Sequence, residues 1–220
     1  LGAEPRYRVL VALDADPGCI APLPGGRLLL ALRSGLVRFD PASGAQTPLA
    51  AAPYDTADQR FNDGKVDPQG RLWVGTICDP REPPRSALYR WAAGKLERMA
   101  AGISVSNGLA FSPDGRTMYH ADTPTHVVRA YDYDAATGLP SRPRVLARWS
   151  GETERPDGAA VDVEGCYWIA FYRGGRVLRI APSGETLQDL RVPALCPTMC
   201  ALGGPERKTL FVTSARQGRD

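Results

Sequence analysis

Short apolar runs rich in Val, Leu, Ile, Tyr and Trp alternate along the chain with clusters of Gly, Pro, Asp and Ser. No stretch keeps its apolar residues at helical spacing. The clearest recurring unit is a polar turn followed by an apolar strand: PGGRLLLAL from Pro24, PQGRLWVGT from Pro68, PDGRTMYHAD from Pro113, VEGCYWIAF from Val163 and PERKTLFVTS from Pro205. Measured on Gly26, Gly70, Gly115 and Gly165, the unit recurs every ~45 to 50 residues, the length of one four-stranded propeller blade. A β-sandwich imposes no such regularity. After each unit comes a weaker alternation, GLVRFDPASG, ALYRWAAG, VVRAYDYDAATG and RVLRIAPSG, which predicts half-exposed outer strands joined by tight turns. The pattern predicts one all-β domain over residues 1–220, a β-propeller with about five visible blades and no helix or linker.

Aligning the copies also aligns a polar position. Asp63-Gly64, Asn107-Gly108 and Asp157-Gly158 each precede the turn glycine of their own blade by six or seven residues, and Thr198 holds a similar place in the last copy. These positions are predicted to open the innermost strands, which surround the propeller axis, so their side chains converge. A lone Asx-Gly pair is ordinary turn chemistry, as Asp114-Gly115 illustrates, but turn propensity does not explain its return at one level of three successive blades. A carboxylate and an amide oxygen meeting in a polar channel suit a hard divalent cation. Calcium fits best, while zinc, manganese or magnesium stay open as alternatives. Arg60 and Asn62 precede Asp63 and supply donors for a polyhydroxylated or anionic substrate at the same mouth.

Composition narrows the function classes. The 27 basic and 24 acidic residues are spread through the chain, without the basic run that tracks a phosphate backbone, so nucleic acid is not an expected partner. No apolar stretch has membrane-spanning length and no signal-peptide pattern occurs, so the expectation is a soluble, cytoplasmic chain of unassigned oligomeric state. The five cysteines, Cys19, Cys78, Cys166, Cys196 and Cys200, form no Cys-x-x-Cys pair and are read as buried free thiols. His120 and His126 fall outside the axial register and are assigned structural or solvated roles, and Trp73 and Trp168 are assigned to packing between blades.

The stretches RFNDGKVDPQGRLWVGT, SNGLAFSPDGRTMYHADT, PDGAAVDVEGCYWIAFYRGGRVLRI and PTMCALGGPERKTLFVTSAR resemble the gluconolactonase and regucalcin family, also called the senescence-marker-protein family. The resemblance covers nearly the whole chain. It implies a six-bladed propeller with one divalent metal in the channel, hydrolysing sugar lactones to aldonic acids. It also implies that Asn107 and Asp157 are metal ligands, that Asp157 is the catalytic acid or base, and that Arg60 and Asn62 bind substrate. A metal-activated hydroxide is the alternative to Asp157 as base. Family members carry a further ligand, the glutamate of a Gly-Glu-Gly-Pro motif, and no such motif precedes Pro17; Glu4 lies too close to Gly18 to take its place. Six blades need about 270 residues, against 220 present, so both ends are expected to be incomplete. A calcium-binding regulatory propeller without turnover is the second functional reading. An interaction scaffold, the third, predicts no axial polar cluster.

Overall fold

The computed structural model describes residues 9, 11–13, 17–151 and 154–216. Glu4 and the chain after Arg216 lie outside them. Strands β1 (Cys19–Pro22), β2 (Leu28–Leu32), β3 (Gly35–Phe39) and β4 (Gln46–Ala51) form the first antiparallel sheet, in sequence order. The second holds β5 (Gln59–Val66), β6 (Leu72–Cys78), β7 (Ser86–Ala92) and β8 (Lys95–Ile103). The third holds β9 (Ser106–Phe111), β10 (Thr117–Asp122), β11 (Val127–Asp134) and β12 (Leu139–Arg148). The fourth holds β13 (Arg155–Val161), β14 (Tyr167–Tyr172), β15 (Arg176–Ile180) and β16 (Thr186–Arg191), and a two-stranded sheet follows with β17 (Pro197–Gly203) and β18 (Thr209–Ser214). The innermost strands β1, β5, β9, β13 and β17 each touch the next, so the sheets stand as propeller blades around one axis.

The predicted turn glycines lie between the first two strands of their blades, and Gly26, Gly70, Gly115 and Gly165 all have φ between 69° and 83°. The only departures from strand and loop among the described residues are single 3-10 turns at Pro24–Gly26 and Thr123–Thr125.

The core lies between blades. Leu29 and Leu36 of the first pack on Phe61 and Val74 of the second. Trp73 and Leu88 meet Leu109 and Met118, and Tyr119 and Val128 meet Tyr167 and Ile169. Second strands such as β14, with five of its six residues buried, therefore read as near-continuous apolar runs, because both of their faces are covered. The third strands depart from the half-exposed reading for the same reason: Val177, Leu178 and Ile180 of β15 are buried. Solvent falls instead on the fourth strands, and all six residues of β16 are exposed.

Polar ties lock the blades together. Tyr133 donates its hydroxyl to Asp67 Oδ2 at 2.5 Å and accepts from Trp73 Nε1 at 3.1 Å, while Arg71 and Arg90 donate across the same joint to the carbonyls of Ala135 and Gly138. Trp73 is thus a packing residue with a polar handle, as is Trp168, whose Nε1 donates to Asp162. Four of the five cysteines are buried, Cys19 is half-buried, and all five are free thiols.

Candidate active site

The three Asx-Gly pairs lie within the inner strands instead of opening them. Each coincides with a one-residue slip of register: between Phe61 and Gly64 in β5, Asn107 and Ala110 in β9, and Pro156 and Ala159 in β13. β17 slips likewise at Thr198. The repeated signature is thus a β-bulge, which bends the inner strand and re-aims a polar side chain, and not a hairpin turn. Its glycine is required by close approach. A Cβ at Gly108, where φ is 62°, would stand 2.4 Å from the Tyr167 hydroxyl of the next blade, and that hydroxyl donates to Gly108 O at 2.8 Å.

Asn62, Asn107 and Asp157 meet at the axis, and Arg60 adjoins them. Arg60 donates to Asn62 Oδ1 at 3.3 Å and to Phe61 O at 3.0 Å. Asn62 Nδ2 donates across the blade joint to Ser106 O at 2.9 Å and to Asn107 Oδ1 at 3.0 Å. Asn107 Nδ2 donates to Thr123 Oγ1 at 2.8 Å, and Thr123 gives its own proton to Pro156 O at 2.7 Å.

Asp63 departs from the convergence predicted for it. Its Oδ1 accepts from Gly64 N at 2.9 Å and its Oδ2 from Leu109 N at 2.8 Å, so the carboxylate bridges the second and third blades from a buried position. The bulge shifts the axial role by one residue, to Asn62.

This network fixes which way the Asn107 amide points. With the amide reversed, its NH2 would face Asp157 Oδ1 at 3.1 Å and Ser106 O at 3.3 Å but also the NH2 of Asn62 at 3.0 Å, and Thr123 would have to withdraw its proton from Pro156. Asn62 cannot turn to compensate, because its Nδ2 faces a backbone carbonyl and its Oδ1 faces Arg60. Asn107 Oδ1 therefore points at Asp157 Oδ1, 3.1 Å away. Two acceptors at that separation require a proton on Asp157 or a cation shared between them. Burial first, and the charge of Asp63 second, push the Asp157 carboxyl up to about 8, which is consistent with a bound proton when no cation is present. Burial also raises Asp63, to about 6, against the pull of Lys65 and two backbone N–H groups.

The oxygen donors fit a hard divalent ion, since oxygens about 3 Å apart are neighbours in a shell with bonds of about 2.3–2.6 Å. A second acidic group, Asp162, Glu164 and Cys166, does not fit one. Asp162 Oδ1 already accepts two backbone N–H groups, its Oδ2 accepts from Trp168 and Arg179, and Arg179 also pairs with Glu164 at 2.5 Å. A cation there would displace a guanidinium.

Neither histidine joins the site. Buried His120 pairs through Nε2 with Ser106 Oγ at 2.8 Å, and His126 Nδ1 lies 2.7 Å from Glu154 O. Thr123 and the Ser106 carbonyl went unnoticed in the sequence. A usable signal existed for Thr123, which lies as far after turn glycine Gly115 as Asn107 lies before it. Thr123→Val removes both of its hydrogen bonds and frees the Asn107 amide to rotate. Affinity for a divalent cation at the Asn107 oxygen, read by isothermal titration, is expected to fall by about tenfold or more, with Thr123→Ser retaining it.

Residues 4–216 match the family described as SMP-30/gluconolactonase/LRE-like region. The 6-deoxy-6-sulfogluconolactonase of Pseudomonas putida is 44% identical over 210 residues, covering 94% of this chain and 72% of that protein. A calcium-binding protein, regucalcin, from Agrobacterium tumefaciens superposes with a TM-score of 0.90 at 34% identity, over 96% of this chain and 72% of that one. A gluconolactonase from Xanthomonas campestris does so with a TM-score of 0.77 at 26% identity, over 94% and 72%. No helix among the described residues is long and apolar enough to cross a membrane. The bulged inner strands and the match over nearly the whole chain lead to one conclusion: the chain belongs to the SMP-30/gluconolactonase/LRE-like family.

Proposed function

We propose that this chain forms the catalytic channel of a lactonase, a hydrolase that opens sugar lactones to aldonic acids and depends on one divalent cation, with calcium as the first candidate. The observation that carries the reading is the pair of facing oxygens, Asn107 Oδ1 and Asp157 Oδ1, beside the donors of Asn62 and Arg60. The lactonases among its relatives support the same reaction class.

Asn107 and Asp157 would hold the ion, which supplies a Lewis acid to polarise the lactone carbonyl. Asp157, ionised, accepts a proton from the water whose oxygen bonds to the carbonyl carbon. It then returns that proton to the ring oxygen as the carbon–oxygen ring bond breaks, leaving the hydroxy acid. Asn62 and Arg60 orient the sugar hydroxyls, Asn62 by an amide already aimed at the axis and Arg60 by a guanidinium anchored on Phe61 O. Thr123 keeps the Asn107 oxygen turned toward Asp157 through both steps. A calcium-binding propeller without turnover uses the same ligands, and the regucalcin relative gives that reading its support.

The deciding experiment follows acid release from glucono-δ-lactone and its 6-deoxy-6-sulfo analogue in a pH-stat. Hydrolysis that stops on chelation and returns with calcium, manganese, magnesium or zinc supports the enzyme. Saturable calcium binding with hydrolysis no faster than buffer sinks it in favour of the binding protein.

A further inference from the structure

A groove of about 400 Å³ runs between the second and third blades, away from the axis. Its floor is apolar and buried, formed by Trp73, Leu88, Ile103 and Met118. Its polar wall carries His120, Asp122 and Arg129. Arg129 of β11 sits opposite His120 of β10 in the ladder. Its half-buried guanidinium has no hydrogen bond or ion pair with any described residue. The nearby carboxylate forms no ion pair with it: Asp122 is turned to the main chain, Oδ1 accepting from Val105 N at 2.9 Å and Oδ2 from Ser104 N at 3.1 Å. His120 adds no second positive charge, because burial first and Arg129 second push its imidazole down to about 4. The groove therefore combines an apolar floor, one guanidinium without an ion-pair partner among the described residues and a volume near the lower end of the small-ligand range of about 300–1,000 Å³.

We propose that this groove is a second binding site, separate from the axial one, for a small organic monoanion with an apolar body, of the class of aromatic or short-chain carboxylates. The carboxylate seats on Arg129 and the apolar body lies against the half-buried Met99 and Tyr131, above the buried floor. A dianion leaves one charge without a partner, and a neutral molecule leaves the guanidinium without one. One residue stands between the two sites: Ser106 turns its hydroxyl toward His120 and its carbonyl toward Asn62.

Benzoate and its uncharged counterpart benzyl alcohol test this, titrated calorimetrically into the full chain with tryptophan fluorescence as a second signal. Benzoate is expected to saturate one site and to bind at least about tenfold more tightly than benzyl alcohol. Arg129→Gln is expected to abolish that preference, whereas Asp157→Asn leaves it intact. Equal affinity for the two probes, unchanged benzoate binding in Arg129→Gln, no binding of benzoate up to about 20 mM, or loss of benzoate binding in Asp157→Asn would each overturn the proposal. If Arg129→Gln fails to fold, the comparison of the two probes on the unaltered chain still decides. Lactone turnover enters none of these measurements, so the groove and the axial site stand or fall separately.

Discussion

Asp157→Asn is expected to lower kcat for sugar-lactone opening by about 10³-fold, within the ~10²–10⁴ range that a positioned general acid–base group contributes. The substituted amide has nearly the same shape, so the β13 bulge and its contacts with β9 and β17 are retained, and the metal-free variant, relieved of a buried ionisable carboxyl, is expected to melt no lower than the parent at neutral pH. The chemistry changes completely. An amide accepts no proton from water and supplies no negative charge to balance a divalent ion. It also presents an NH2 that can donate to Asn107 Oδ1, giving that oxygen a hydrogen bond where a cation would otherwise sit. Calcium affinity and turnover should therefore fall together. A variant that keeps full turnover removes Asp157 from the reaction, and one that keeps calcium binding while losing turnover assigns it to proton transfer alone.

The second large effect is a pH dependence of cation binding. With no ion bound, Asp157 retains its proton up to about 8, far above the ordinary carboxylate value of 3.8. A cation must displace that proton, so the apparent calcium affinity is expected to fall by about tenfold per pH unit below 8, or roughly 100-fold between pH 8 and pH 6. Isothermal titration at several pH values reads this directly, and an affinity flat across the window contradicts it.

Stability follows the same linkage. Between 3.8 and 8 the folded, metal-free chain binds more protons at Asp157 than the unfolded chain does, so this carboxyl costs stability as pH rises through that window. Asp63 acts in the same direction up to about 6. His120 acts oppositely: held near 4 against 6.5, it binds fewer protons in the folded state, and its contribution grows as pH rises to 6.5. Above 6.5 the Asp157 effect stands alone among these three. The metal-free melting temperature is expected to drop from pH 6.5 to 8, and added calcium to restore it at pH 8 far more than at pH 6.5.

Blade architecture was legible because each blade needs a positive-φ glycine between its first two strands and a second strand apolar on both faces. Both demands write themselves into neighbouring residues such as Gly70 and LWVGT. Asn107 and Asp157 were legible for the same reason, since the register that repeats the turn also repeats the inner strand. Asp63 was misplaced because side chains alternate across a strand, so one inserted residue exchanges the neighbour that faces the axis. Asn62 reached its place in the reading through Arg60-Phe61-Asn62 and the family resemblance, not through register. The Ser106 carbonyl acts through the main chain, which no pattern of residue types marks, and Thr123 was marked only by its spacing from Gly115, which mirrors that of Asn107. Arg129 shows the same limit, because nothing in VVRAYD distinguishes a charged side chain that pairs within the described residues from one that does not.

The four successive bulges bear on how such a protein changes its chemistry. In β5, β9 and β13 two residues stand opposite one of the partner strand before pairing resumes, and in β17 Thr198 alone is unpaired, so residues at the crest contribute little to the ladder on either side. Identity at the axial crest positions, such as Asp157, is thereby less tied to folding than that of the blade-bridging Asp63 or of the bulge glycines, which close approach requires. A lineage can exchange an amide for a carboxylate or a hydroxyl there, one blade at a time, and pass through new ion preferences or reactions while the scaffold stays intact. For protein engineering, this makes the crests the first positions to randomise.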